Sequence, residues 1–212
     1  MTVKSSLELV LKEIKEYNPR IIAVTKYYGI EKMIEAFEAG LRDFAESRAI
    51  EALEKINKID DTTRAQSIYH FIGHLQTNKV KHVVGTFEYI HSVDSLKVAK
   101  CIDDEANNKG IVQKILIQVN NADESQKFGV NVSQLENLIE EVKNLKSVEL
   151  VGLMNIAPLT DDKKELQRLF LEMRKLTDRF QLKELSMGMS HDYKIALECG
   201  ATMIRLGRIL FH

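Results

Sequence analysis

Arg20-Ile21-Ile22-Ala23-Val24-Thr25-Lys26 has a polar start, an apolar middle and an ammonium at its last position. The apolar middle reads as a buried strand, which leaves Lys26 at its C-terminal tip. An amine held in a cleft beside apolar strand ends loses its proton more readily than one in water and can attack a carbonyl carbon. Taken alone, Lys26 has a second reading, a solvated side chain that merely ends a strand. The segments that follow it decide between the two.

Apolar runs rich in Val and Ile alternate with longer amphipathic stretches along the whole chain, the pattern of strand-helix units around a parallel sheet. Strands are expected at 20–26, 42–46, 69–73, 88–93, 113–120, 148–156, 184–189 and 203–210, each except the last followed by a helical stretch. Dividing 212 residues among eight such units gives about 26 each, adequate for a (β/α)8 barrel, whose lower limit is roughly 200 residues. The competing architecture is an open doubly wound sheet. Helical periodicity supports the count. Ile30 to Ala39 ends at Gly40, Val132 to Leu145 carries Leu135, Leu138, Ile139 and Val142 on one face, and Lys163 to Phe180 repeats Leu166, Leu169, Phe170 and Met173. A further helix, Ser6 to Tyr17, precedes the first strand, is stopped by Asn18-Pro19 and is expected to cap the bottom of the barrel. The expected fold is therefore a single α/β domain over 1–212, a TIM-type (β/α)8 barrel with an extra N-terminal helix.

Composition narrows the function. Thirty basic residues against thirty-one acidic ones, with no block of one sign, leave no footprint for nucleic acid. No apolar run is long enough for a signal peptide or a membrane span, so no membrane partner is expected and the cytoplasm is the simplest address. Cys101 and Cys199 lie far apart and outside any C-x-x-C arrangement, which suggests neither a disulfide framework nor a zinc knuckle. His70, His82, His91 and His212 show no metal-ligand spacing and read as surface or strand-end residues, so no metal is expected.

In a barrel of this kind the active face is built from the C-terminal strand ends and the loops after them. Those ends collect Lys26, Glu46-Ser47-Arg48, Gly73-His74, His91-Ser92-Val93-Asp94, Asn120-Asn121, Met154-Asn155, Ser186-Met187-Gly188-Met189-Ser190 and Arg205-Leu206-Gly207-Arg208. The last two segments combine hydroxyls with glycines whose missing side chains let backbone N–H groups approach an anion. Loops after strands seven and eight of such barrels often bind phosphate. A carbonyl-reactive lysine across the barrel mouth from a phosphate cup suits two ligands, a sugar-phosphate carbonyl compound or pyridoxal 5'-phosphate. An inward Arg205 would disfavour protonation of a pyridine nitrogen, and it could equally hold a sugar phosphate.

Several separated segments together resemble the pyridoxal phosphate homeostasis protein family, a single-barrel relative of the N-terminal domain of alanine racemase. They are Ile22-Ala23-Val24-Thr25-Lys26, Phe44-Ala45-Glu46-Ser47-Arg48, His70-Phe71-Ile72-Gly73-His74-Leu75-Gln76-Thr77-Asn78-Lys79, Gln118-Val119-Asn120 with Glu124, Lys127 and Gly129, Val151-Gly152-Leu153-Met154, Leu185 to Ser190 with Asp192, and Gly200 to Arg208. The resemblance implies that Lys26 holds the cofactor as a Schiff base. It also implies that Ser186 with the backbone at Gly207 and Arg208 binds the phosphate, and that Arg205 faces the pyridine nitrogen. Ser47, His74, Met154 and Ser190 lie at matching positions and are expected to line the pocket. The chain departs from the family pattern at Ala45, where glycine is usual, at Ser47, where asparagine is usual, and at His191, where an acidic residue is common.

The resemblance implies a non-catalytic protein of pyridoxal 5'-phosphate homeostasis, with pyridoxal-phosphate-dependent apo-enzymes as recipients, and a barrel without a second domain is most simply a monomer. Racemases and decarboxylases of this fold class add a β-rich second domain, for which no residues follow strand eight, so efficient catalysis is not expected. Two alternatives stay open, a pyridoxal-phosphate-dependent amino-acid racemase and a cofactor-free Schiff-base aldolase.

Overall fold

The computed structural model describes residues 2–122 and 128–212. Glu124 and Lys127, two residues of the resemblance, lie outside them. The strands are β1 (Arg20–Val24), β2 (Asp43–Glu46), β3 (Ile68–Phe71), β4 (Tyr89–Val93), β5 (Gln113–Asn120), β6 (Val130–Asn131), β7 (Val148–Met154), β8 (Glu184–Met189) and β9 (Met203–Leu206). The sheet runs β4-β3-β2-β1-β9-β8-β7-β5, every neighbour parallel, and pairing of β4 with β5 closes it. The result is an eight-stranded barrel, with the two-residue β6 annexed to the end of β5. Closure satisfies every edge, which an open sheet would leave unpaired.

Between the strands run α2 (Ile30–Glu38), α3 (Ala49–Asn57), α4 (Asp61–Ala65), α5 (Val80–Val83), α6 (Leu96–Asn108), α7 (Val132–Lys143), α8 (Lys163–Arg179) and α9 (Tyr193–Glu198). Their apolar stripes face the barrel as the periodicity predicts: α7 buries Leu135, Leu138, Ile139 and Val142, and α8 buries Leu166, Leu169, Phe170 and Met173. Gly40, with φ of +107°, ends the α2 segment in a conformation that a side chain resists.

Two ends of the chain differ from expectation. The first helix, α1, spans Val3–Glu13 and packs against α2 and against α10 (Arg208–Phe211), on the flank of the barrel rather than across its bottom. Val3 N–H donates to Glu35 on α2, and Glu13 accepts from Tyr193 and pairs with Lys194 on α9. The last strand stops at Leu206, because Gly207 leaves extended geometry (φ −119°, ψ −86°) and the chain turns into α10. Since α10 has only four residues, α1 lies against it and helps cover that side of the barrel.

The core has two compartments. Outward-facing residues such as Phe44, Phe71, Ile90, Ile117 and Ile204 pack with the helices. Ile22, Ala45, Tyr89, Leu116, Met154 and Met203 form a separate inner cluster inside the barrel. The departure at Ala45 therefore places its methyl group, fully buried, in this inner cluster. Among the described residues no helix is long and apolar enough to cross a membrane.

Candidate functional site

At the C-terminal mouth of the barrel lies a cavity of about 460 Å³ lined by Lys26, Met154, Ser190, Arg205, Gly207 and Arg208, together with apolar side chains and the rings of Tyr27 and Tyr28. Six of the nine residues expected from sequence thus meet in one place. Lys26 follows β1 in a turn closed by the Tyr28 N–H on the Thr25 carbonyl. Its root is clamped: Lys55 Nζ donates to the Thr25 carbonyl (2.9 Å) and to Glu46 Oε1 (2.6 Å), and the Thr25 hydroxyl donates to the same carboxylate oxygen (2.7 Å). The Lys26 ammonium itself lies 5.0 Å from the centre of the Tyr27 ring and, among the described residues, has no hydrogen bond or ion pair. It is half-buried and unengaged, which suits an amine that must reach an incoming carbonyl.

Across the cavity, the Gly207 and Ile209 N–H groups converge on the Ser190 hydroxyl at 3.2 and 3.4 Å. The loop that carries Ser190 turns at Gly188, whose φ is +89° and where an added Cβ would lie 2.6 Å from Ala196 on α9. Asp192, buried below the loop, accepts from the Met189 N–H and pairs with His191. These two backbone donors and the Ser190 hydroxyl lie together at a wall of the cavity that Arg208 also lines.

Arg205 lines the same cavity and is 4 % exposed. Its Nη1 donates to Ser186 Oγ (2.7 Å) and its Nη2 to the Asn155 carbonyl (2.8 Å). Burial brings the guanidinium down to about 10, partly opposed by Asp192, so it remains cationic at neutral pH.

Three expected residues lie elsewhere. Ser186, expected at the phosphate, is fully buried beneath Arg205, with His91 Nδ1 3.0 Å from its hydroxyl, and does not line the cavity. A register shift in β8 between Ser186 and Met189, with the turn at Gly188, carries Ser190 out to the mouth instead. Ser47 and His74 border a neighbouring depression of about 290 Å³ with Arg48 and Lys79, which shares no residue with the Lys26 cavity. His74 stacks on Phe128 at 3.8 Å and its Nδ1 lies 3.5 Å from Asp94.

The expectation that His70 and His91 occupy surface or strand-end positions is corrected: both are fully buried inside the barrel. His70 Nδ1 lies 2.9 Å from His91 Nε2, and His70 Nε2 lies 2.9 Å from Asp43 Oδ1. Burial pushes both imidazoles below the usual histidine range, His91 farther, with His70 and Arg205 adding to it. Strand alternation was the available signal, since His70 shares a face with Ile68 and Ile72. Among the described residues no cluster of His, Cys, Asp or Glu could hold a metal ion.

Comparison with known proteins gives this site its relatives. The alanine racemase N-terminal domain family matches residues 3–212. Pyridoxal phosphate homeostasis proteins of Aquifex aeolicus and Synechocystis are 37 % and 42 % identical, over 91 % of this chain and 86 % and 90 % of theirs. The structure of PipY from Synechococcus elongatus with PLP bound superposes with a TM-score of 0.91 at 34 % identity, covering 99 % of this chain and all of PipY. Alanine racemase of Clostridium difficile shares the fold, with a TM-score of 0.78 at 16 % identity over 99 % of this chain and 56 % of that one. The chain belongs to the pyridoxal phosphate homeostasis protein family, within the alanine racemase N-terminal domain fold.

Proposed function

We propose that the chain binds pyridoxal 5'-phosphate in the Lys26 cavity and holds it for pyridoxal-phosphate-dependent apo-enzymes, without turning over a substrate of its own. The observation that carries this reading is the convergence of Lys26, Arg205 and the Gly207–Arg208 backbone on one cavity. The donor set fits the group. An unengaged amine suits an aldehyde, convergent N–H groups suit a phosphate, and a buried guanidinium suits an unprotonated ring nitrogen. The cofactor supplies an aldehyde that condenses with a lysine amine, forming a C=N bond and releasing one water.

Each residue then has a task. Lys26 provides the amine, on a backbone that Lys55 and Glu46 hold in place. Ser190, Gly207 and Arg208 bind the phosphate, Arg205 opposes protonation of the ring, and Met154 contributes apolar wall. Ser186 acts through Arg205, and Ser47 and His74 stay outside the cofactor set.

Holding rather than turnover is supported by the lining. Apart from Lys26, its ionisable groups are Arg205, tied to Ser186 and Asn155, Arg208, His191, 3.3 Å from Asp192, the exposed Tyr27, and Tyr28, packed 4.6 Å from Phe211, and none of them, the cationic Arg205 apart, is a buried acid or base facing Lys26. Much of the remaining wall is apolar, with Val24, Ile72, Ile156, Ala157 and Leu159. The unpaired Cys101 and Cys199 fit a reducing cytoplasm. The names of the relatives support the same role.

The test is spectroscopic. Protein mixed with the cofactor should absorb at about 420 nm, as expected of a lysine imine of this cofactor, and Lys26→Ala should abolish that band. Retention of the band in the variant overturns the site, and efficient racemisation or decarboxylation of amino acids by the loaded wild type overturns the non-catalytic role.

A further inference from the structure

We propose that Ser186, His91, His70 and Asp43 are positioning residues that act through Arg205, forming a one-way hydrogen-bond chain along the barrel interior that fixes how the guanidinium is presented to the cavity. The proposal deepens the cofactor reading and rests on it for the role of Arg205. Its geometry stands on four consecutive contacts of 2.7, 3.0, 2.9 and 2.9 Å, from Arg205 Nη1 to Ser186 Oγ, on to His91, on to His70 and finally to Asp43.

The direction follows from the two ends. Arginine can only donate, and an ionised aspartate can only accept. Asp43 is paired with Arg20 at 3.2 Å and stands here as a carboxylate acceptor. His70 must therefore donate from Nε2 to Asp43, which leaves Nδ1 of a neutral ring bare. That bare nitrogen accepts from Nε2–H of His91, whose own Nδ1 is then bare and accepts from the Ser186 hydroxyl. The Ser186 oxygen still has a lone pair free for the Nη1–H of Arg205. Every ring nitrogen is used once and both rings take the Nε2–H form. A further proton on His70 would set two N–H groups face to face in its link to His91, and one on His91 would reverse its link to Ser186, whose own proton then loses its acceptor in the chain.

The surroundings agree with neutral rings. Arg20 and Glu88 face His70, Arg20 and Arg205 face His91, and Tyr89 stacks on His70 at 4.8 Å. Ser186, His70 and His91 are all 0 % exposed, so bulk water can complete none of these links. The inner positions of such barrels are usually branched aliphatic residues, and a line of buried polar groups is costly unless each is satisfied. Here the line is satisfied throughout and ends on Arg205, a buried guanidinium that lines the Lys26 cavity. A chain of this kind ties the orientation and charge of Arg205 to an anion at the opposite end of the barrel interior.

The first test needs no cofactor. Long-range proton–nitrogen correlation spectra of the full-length protein, labelled at histidine, should show His70 and His91 protonated at Nε2 and bare at Nδ1 near neutral pH. A population of the Nδ1–H form or of imidazolium at either ring overturns the chain. The second test compares His91→Gln, which can keep one donor and one acceptor, with His91→Phe, which keeps only the ring. His91→Phe should weaken pyridoxal 5'-phosphate binding by about tenfold, the scale of one lost hydrogen bond, and shift its absorption maximum. His91→Gln should recover most of both. Ser186→Ala, a far smaller change, should reproduce the His91→Phe effect should that variant fail to fold. Wild-type affinity and spectrum in folded Ser186→Ala overturn the positioning role. Absence of any band in the wild type overturns the cofactor reading, and the role given to Arg205 falls with it, whereas the tautomers report on the chain separately.

Discussion

Lys55 Nζ lies 2.6 Å from Glu46 Oε1, and this ion pair, with side-chain exposures of 15 % and 5 %, holds the backbone from which Lys26 projects. The carboxylate is shared by Lys55 and the Thr25 hydroxyl, so the turn after β1, the end of β2 and α3 meet on one oxygen. Removing one partner of a buried pair costs more than the pair contributes, because the other charge is left without compensation. Lys55→Met is therefore expected to lower unfolding free energy by about 3 kcal/mol, measured by urea denaturation. Adding Glu46→Gln to it should restore part of the loss. If the single variant is as stable as the wild type, the clamp is only a surface contact.

Two glycines separate close approach from backbone conformation. A Cβ on Gly73 would sit 2.0 Å from the Ser47 carbonyl oxygen, so the ends of β2 and β3 touch where glycine alone fits. At Gly40 nothing lies within 4 Å of the added atom, and only φ of +107° resists it. Gly40→Ala is expected to cost about 1 kcal/mol, and Gly73→Ala about 3 kcal/mol, since backbone atoms must move. Thermal or chemical denaturation of the two variants checks the order, and an equal or reversed cost would show that the mouth of the barrel yields freely.

The buried imidazoles predict a pH dependence with a definite sign. His70 and His91 are held below the ordinary value of 6.5, chiefly by burial, so between their folded and unfolded values the unfolded chain binds more protons. The stability they confer is present above about pH 6.5 and is lost as pH falls toward the folded values. Carboxylates held low, such as Glu13 and Glu35, act only further down, below their ordinary 4.5. Denaturation midpoints should therefore decline between about pH 6.5 and 5, and the decline should shrink in His91→Gln. A flat profile across that window would mean that the rings accept protons in the folded state.

Much of this architecture is legible from the strand pattern. Alternating apolar runs give eight barrel strands, and the rule that loops at the C-terminal strand ends make the site brings Lys26, Arg205 and Gly207 together from residues far apart in sequence. What stays hidden has physical reasons. Both faces of a barrel strand are buried, so a histidine at an alternate position, such as His70 or His91, has no solvent face to occupy, and polarity alone misplaces it. Ser186 and Ser190 sit four residues apart on one segment. Which of them reaches the mouth depends on the register shift in β8 and the positive φ of Gly188. The end of β9 is equally local, because Gly207 turns an apolar run that reads as strand into the short α10.

The exchange of roles between those two serines leads to a prediction that separates phosphate binding from amine chemistry. Ser190 Oγ accepts from the N–H groups of Gly207 and Ile209, which places its hydroxyl among the donors assigned to the phosphate. Ser190→Ala removes that hydroxyl and leaves the Lys26 turn and the Arg205 contacts to Ser186 and Asn155 intact. Affinity for pyridoxal 5'-phosphate should fall about tenfold, the scale of one hydrogen bond to a charged group. Affinity for unphosphorylated pyridoxal, which offers the aldehyde without the anion, should change little. Titrations of both compounds, followed at the imine band, read the two effects independently. Equal losses for both ligands would place Ser190 at the amine end of the cavity, and no loss for either would leave phosphate binding to the Gly207 and Arg208 backbone.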